Sequence, residues 1–212
     1  MYIDLTHLVS STISVYPGTP SPIINEIYKI KEDGFRETLY SFYSHIGTHI
    51  DSPSHIVENG KSLDEFLMDK FIGNAYTIDV SGFYDKCISL EFIKQFVDKL
   101  NTNDFILFYS GYDKLWNTDA YFKNYPLFSK EAIQFISSFN IKGIGIDFIS
   151  VDSIDSEDFY NHKVLLSKEI IIIENLTKLN TIIGRNVVFY GAPINIENAN
   201  GSLVRAYAKC LD

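Results

Sequence analysis

The twelve residues "SHIGTHIDSPSH", 44–55, hold three of the chain's five histidines together with an aspartate, a glycine and a proline. Positions 45, 47, 49 and 51 are two apart, so on an extended chain they share one face. A helix would place His45 beside His49 but turn Asp51 away, and Gly47 and Pro53 both weaken a helix here. No glutamate follows the first histidine, so the HxxxH spacing is not that of a helical zinc protease. A straight strand separates positions 45 and 49 by roughly 13 Å, whereas a zinc–nitrogen bond is about 2.1 Å long. The chain must therefore bend between the two histidines. Gly47, which tolerates positive φ, permits that bend. Thr48 can hold the turn by local hydrogen bonding, and Pro53 stiffens the path to His55.

Two imidazoles and a carboxylate suit zinc, manganese or iron, with positions left for water. His45, His49 and Asp51 are thus candidate metal ligands. His55, beside the ion rather than on it, is placed to move protons at neutral pH. A lone histidine is commonly structural or exposed; three with an aspartate within eleven residues point to a metal.

Outward from this segment, several stretches read as strands: residues 2–6, "INEIYKI" (24–30, half-buried by its alternation), "TLYSFYSHI" (38–46, leading into the histidines), "AYTIDV" (75–80), "DFILFYS" (104–110), "GIGID" (143–147), "EIIIIENL" (169–176) and "NVVFYGAP" (186–193). Helical patterns lie between some of them: 89–100 behind Ser89, 129–139 behind Ser129, and a shorter one over 62–69. The alternation of strand and helix through the centre predicts an α/β fold with some parallel pairing. The first 60 residues read as antiparallel strands and loops. No composition shift marks a boundary, so residues 1–212 are expected to form one domain.

The chain is 46% hydrophobic and 15% aromatic, enough for a sizeable core. Its formal net charge of −9 and the lack of a basic run argue against nucleic acid or an anionic membrane as partner. Cys87 and Cys210 are far apart and form neither a disulfide framework nor a CxxC metal site. They read as reduced thiols of a cytoplasmic protein. The N-terminal "MYIDLTHLVS" lacks the basic start and apolar run of a signal peptide, and no segment is long enough to cross a bilayer.

The string H-x-G-T-H-x-D-x-P-x-H is matched by His45, Gly47, Thr48, His49, Asp51, Pro53 and His55. It resembles the cyclase family of metal-dependent hydrolases, which includes bacterial kynurenine formamidases and isatin hydrolases. The resemblance extends to "DLTHLVSSTISVYPGTP", to "GIDFISVDS" and to "HKVLLSKEIIIIENL". It implies a swivelling β/β/α domain with mixed sheets and flanking helices, assembled as a homodimer or homotetramer. It also implies a site for one or two divalent transition metals, zinc or manganese. His45, His49 and Asp51 would hold one ion, with Asp51 bridging to a second; His162 and Glu174 match the remaining ligands and His55 the catalytic histidine. On its own residues, Glu174 follows four isoleucines in an expected buried strand, where a carboxylate is costly unless paired or metal-bound. His162 sits in an expected polar loop, and only the resemblance singles it out. Tyr16-Pro17-Gly18-Thr19 stands where kynurenine formamidases often have Trp-Pro-Gly-Asp, a difference that bears on formylkynurenine as substrate. Tyr16 remains a plausible wall for a flat substrate.

The expected activity is hydrolysis of a small amide by metal-activated water, with His55 as general base and then general acid. No G-x-S-x-G elbow offers a nucleophile, and Ser110 in "YSGYD" reads as a turn or pocket wall. Two alternatives stand beside this one. The first is a same-family hydrolase or lyase of a cyclic amide, lactone or hydroxy acid. The second is a metal-stabilised binding protein without turnover.

Overall fold

A computed structural model describes residues 1–84 and 86–211. Its strands are β1 (Tyr2–Asp4), β2 (Ile23–Tyr28), β3 (Glu37–Ser41), β4 (His49–Asp51), β5 (Ile72–Asp79), β6 (Cys87–Ile88), β7 (Phe105–Tyr109), β8 (Leu127–Phe128), β9 (Gly143–Ile146), β10 (Ile171–Glu174), β11 (Val187–Tyr190), β12 (Gly201–Leu203) and β13 (Tyr207–Cys210). The α-helices are α1 (Ile30–Asp33), α2 (Leu90–Ile93), α3 (Val97–Thr102), α4 (Lys130–Ile136) and α5 (Tyr160–Leu166). Nine strands form one mixed sheet in the order β1-β13-β11-β5-β7-β9-β10-β4-β12. Its centre, β5-β7-β9-β10, is parallel, as the strand–helix alternation predicts, and both flanks are antiparallel. The fold is α/β, with a mixed sheet and helices packed against it.

Strands β7, β9 and β10 are buried on both sides, which is why β7 and β10 read as nearly continuous apolar runs, whereas β5 is only partly buried. Period-2 geometry splits them between two cores. Ile106, Phe108, Ile144 and Ile172 pack with the helical residues Ile93, Ile133, Ile136 and Leu165. Phe105, Leu107, Ile171 and Ile173 pack on the other face with Leu5, Ile50 and Phe189. Ser89 and Ser129 cap their helices, accepting from the backbone N–H of Phe92 (3.3 Å) and Ala132 (3.1 Å).

Four local expectations differ from the structure. The helix over 89–100 is interrupted by a 3₁₀ turn, Lys94–Phe96. The segment 62–69 forms two 3₁₀ turns, Leu63–Glu65 and Met68–Phe71, because the backbone turns extended at Phe66 and Leu67; the Glu65 carboxylate accepts from the Ser62 N–H at 2.8 Å, a capping box whose helix does not continue. Strand β3 stops at Ser41 and does not run on to the histidines. Strand β2 forms but is exposed along its whole length, since it pairs only with β3 in a hairpin that stands apart from the main sheet. Among the described residues no helix is long and apolar enough to cross a membrane. Both cysteines are free thiols.

Candidate metal centre and active site

Antiparallel pairing of β10 with β4 sets Glu174 opposite His49, and β12 sets Gly201 opposite Asp51 on the other side of β4. Residues 45–48 are not strand. The chain bends at Gly47, which has φ +54°, in the left-handed region that glycine enters without strain. The bend is bonded in place: the Thr48 hydroxyl donates to the Asn175 carbonyl (2.6 Å) and accepts from the His7 N–H (2.9 Å). Pro53 opens a 3₁₀ turn, Pro53–His55, that carries His55 back toward the site.

The structure brings His45, His49, Asp51, His162 and Glu174 into two clusters that share Asp51. In the first, Asp51 Oδ1 lies 2.7 Å from His45 Nδ1 and 3.3 Å from His49 Nε2. In the second, His162 Nε2 lies 3.7 Å from Asp51 Oδ2 and 3.5 Å from Glu174 Oε1. His49 Nε2 is also 3.6 Å from Glu174 Oε2. His55 belongs to neither cluster; its ring lies against His45 with centroids 3.9 Å apart.

His162 is not in a loop. It is buried in the first turn of α5, because the Asp152 carboxylate caps that helix, accepting from the N–H groups of Asn161 (2.9 Å) and His162 (3.0 Å). Asp152 also accepts from His162 Nδ1 at 2.7 Å. His49 Nδ1 donates to the Gly47 carbonyl at 2.9 Å. In both rings Nδ1 is tied to an outward acceptor, which leaves Nε2 as the nitrogen facing the carboxylates and the one that would bind a metal once deprotonated, the arrangement of a metal-ligating histidine. Phe159, just ahead of α5, has φ +46°, a conformation that costs a bulky residue about 1–3 kcal/mol and is typical of functional sites.

Asp51 and Glu174 are 1% and 5% exposed, and among the described residues their ion pairs are all to histidines. Buried carboxylates without Lys or Arg partners each cost several kcal/mol. The electrostatics follow. Burial opposes a charge on His49, but Asp51 and Glu174 outweigh it and raise its pKa to about 9. His162 is raised well above the ordinary imidazole value against its burial, by Asp152, Asp51 and Glu174. Burial opposes a charge on Asp51, but His45, His49 and His162 outweigh it and hold its carboxyl well below the usual carboxylate range. Burial pushes His55 down to about 4, so its ring is neutral at pH 7. Three imidazoles, two of them with Nε2 turned inward, and two buried carboxylates fit a divalent transition metal, which would displace the protons of His49 and His162.

The clusters line a cavity of about 450 Å³ whose surface is mostly apolar. Tyr16, Tyr43, Ile56, Ile149 and Phe159 supply apolar wall, and Thr19 and Ser150 small hydroxyls. The Tyr16 hydroxyl donates to the Ile154 carbonyl at 3.2 Å, which holds its ring. Ser110 serves a turn: its hydroxyl and N–H both donate to the buried Asp147 carboxylate. Sequence reasoning missed Asp152, Asn175, Phe159 and Gly201. Only Asp152 left a usable signal, an acid within a largely apolar stretch ten residues ahead of His162.

The model of the cyclase family, described as "Putative cyclase", matches residues 3–153. An uncharacterized protein of Methanocaldococcus jannaschii is 33% identical over 198 residues, 91% of each chain. A kynurenine formamidase of Bacillus cytotoxicus is 27% identical, the match covering 99% of this chain and 98% of that one. The solved structure of isatin hydrolase A from Labrenzia aggregata, bound to benzyl benzoate, matches with a TM-score of 0.86 at 25% identity, over 98% of this chain and 93% of that one.

Proposed function

This chain belongs to the cyclase family, and from that premise we propose that it is a metal-dependent hydrolase of a small amide, cleaving a non-peptide C–N bond as an arylformamidase does. The observation that carries the reading is Asp51, one buried carboxylate whose two oxygens face two separate ligand clusters in a largely apolar cavity. His45, His49 and Asp51 would hold one ion, and Asp51, His162 and Glu174 a second. A bound zinc or manganese ion would supply a Lewis acid that polarises the carbonyl and eases deprotonation of water. His55, neutral through burial, takes the attacking water's proton on a ring nitrogen. As the water oxygen bonds to the carbonyl carbon and the C–N bond breaks, His55 passes that proton to the departing nitrogen. The products are an acid and an amine. Tyr16 and Phe159 wall the cavity for a flat aryl group.

A cyclic amide is the second reading. Among the described residues no lysine or arginine lines the cavity, so only the histidines and ions of the ligand clusters offer positive charge to the carboxylate of an amino-acid substrate such as formylkynurenine. That favours an uncharged aryl formamide or lactam. The test is turnover by the zinc- or manganese-loaded protein of aryl formamides, isatin-like lactams and esters. Activity lost with a chelator and restored by the ion supports the reading; a metal-loaded protein inert on the whole panel favours the non-catalytic alternative.

The chain is further proposed to act as a single domain in a homodimer or homotetramer. The β2–β3 hairpin supports this. Ile23, Ile27, Phe35, Leu39, Tyr40 and Tyr43 are 47–61% exposed on it. With about 150–250 Å² per aromatic side chain, such residues leave several hundred Å² of apolar surface, approaching the roughly 800 Å² that one partner contributes to a standard interface. A two-stranded hairpin is marginal alone in water, and a second copy of this chain would cover it.

A further inference from the structure

Asn175 follows Glu174 directly, is 2% exposed and has φ +58°, which asparagine tolerates better than most residues. Its side chain ties together three parts of the site that are remote in sequence. Its Oδ1 accepts from the Tyr121 hydroxyl at 2.7 Å. Its Nδ2 donates to the Gly47 carbonyl at 2.9 Å and lies 3.4 Å from His49 Nδ1. Its own carbonyl receives the Thr48 hydroxyl. The Gly47 carbonyl thus takes two donors, Asn175 Nδ2 and His49 Nδ1. Turning the amide over would set two carbonyl oxygens about 3 Å apart and take the acceptor from a fully buried hydroxyl, a penalty of about 1–3 kcal/mol for the unsatisfied group alone. Tyr121 is itself locked, fully buried with its ring edge-on to Trp116 at 5.0 Å.

We infer that Asn175, oriented by the Tyr121 hydroxyl, is a positioning residue that holds the Gly47 bend and thereby the Gly47 carbonyl, the acceptor that keeps the proton of His49 on Nδ1 and leaves Nε2 to bind the metal. The inference rests on the metal-hydrolase reading but concerns residues that touch neither metal nor substrate. Outer partners of metal-binding histidines typically change affinity by 10–100-fold. The perturbation is therefore sizeable although Tyr121 sits a full side chain away from the ligands.

The experiment compares wild type, Tyr121→Phe and Asn175→Asp for zinc affinity by chelator competition and for the absorption spectrum of the cobalt-substituted protein. Melting of the metal-free proteins is measured alongside. Tyr121→Phe keeps the ring and removes only the oxygen; Asn175→Asp keeps shape and backbone preference but replaces the Nδ2 donor by an acceptor. The expected result is about tenfold or greater weakening of zinc binding in both, with an altered cobalt spectrum; metal-free melting should fall by several degrees at most, since each variant leaves a buried hydrogen-bonding group unsatisfied. Lower melting with unchanged affinity and spectrum would reduce both residues to a purely structural role and overturn the inference. If Tyr121→Phe does not fold, Asn175→Asp carries the same comparison. Wild-type protein that takes up no metal would instead overturn the metal reading, so the two failures are distinguishable.

Discussion

Gly201→Ala is a one-carbon change that separates the two proposed metal positions. Gly201 opens β12, and a Cβ there would lie 2.7 Å from His45 Nε2 and 2.8 Å from His45 Nδ1. Carbon and nitrogen at rest need about 3.5 Å, and His45 Cε1 lies nearer still, so the His45 ring must move by about 1 Å or swing away from its contact with His55. Metal sites hold ligand distances to about 0.2 Å, several times less than this shift. His45 should therefore drop out of the ligand set, whereas Asp51, His162 and Glu174 are not among the nearest atoms the new methyl meets. One ion should weaken by about 10–100-fold, equal to about 1.4–2.8 kcal/mol, and the other should stay. The backbone should not suffer, because Gly201 is not in the left-handed region and a compatible Gly→Ala change adds about 0.4–1 kcal/mol of stability. Equilibrium dialysis over graded free zinc with elemental analysis reads the stoichiometry, and melting of the metal-free protein reads the fold. A folded Gly201→Ala protein that binds both ions at wild-type affinity would refute the reasoning.

Three further outcomes are expected. His55→Ala should keep its metal content and lose about 10²–10⁴ in kcat on the substrate found in the panel; loss of metal instead would make His55 a ligand. In metal-free protein, His49 titrates near pH 9 when folded against an ordinary 6.5. The folded state then binds more protons across that window, so stability falls as pH rises from 6.5 to 9, by on the order of 3 kcal/mol from this group. A melting temperature that stays flat or rises over that range, measured against a metal-saturated control, would contradict the assignment. Paired Ile27→Glu and Leu39→Glu substitutions on the hairpin should shift the protein to monomer in size-exclusion chromatography with light scattering, and an unchanged oligomer would place the interface elsewhere.

Much of the architecture was readable because it is written in local periodicity. The apolar runs at 104–110 and 169–176 form strands buried on both faces, and each pairs in parallel with β9 between them. The bend at Gly47 follows from ligand reach alone. What misled was local pattern without tertiary context. Residues 62–69 look helical and even carry a capping box from Ser62 to Glu65, yet the chain turns extended at Phe66 and Leu67 and the helix does not continue. The alternation in 24–30 promised a half-buried strand, yet no layer of this chain covers the hairpin.

The sequence by itself determined the ligand chemistry: histidines and an aspartate around a flexible glycine, with a spare histidine beyond a proline. It also placed Glu174 in a buried strand where a lone carboxylate is unfavourable. Only the tertiary structure decided which groups complete the site. Pairing of β10 with β4 joins residues more than a hundred positions apart and sets Glu174 against His49. The Asp152 cap turns an apparently exposed His162 into a buried ring aimed inward, and Asn175 secures the bend that makes His49 available. Side-chain spacing encodes what one segment can present; strand register and helix capping, which depend on distant partners, decide what it meets.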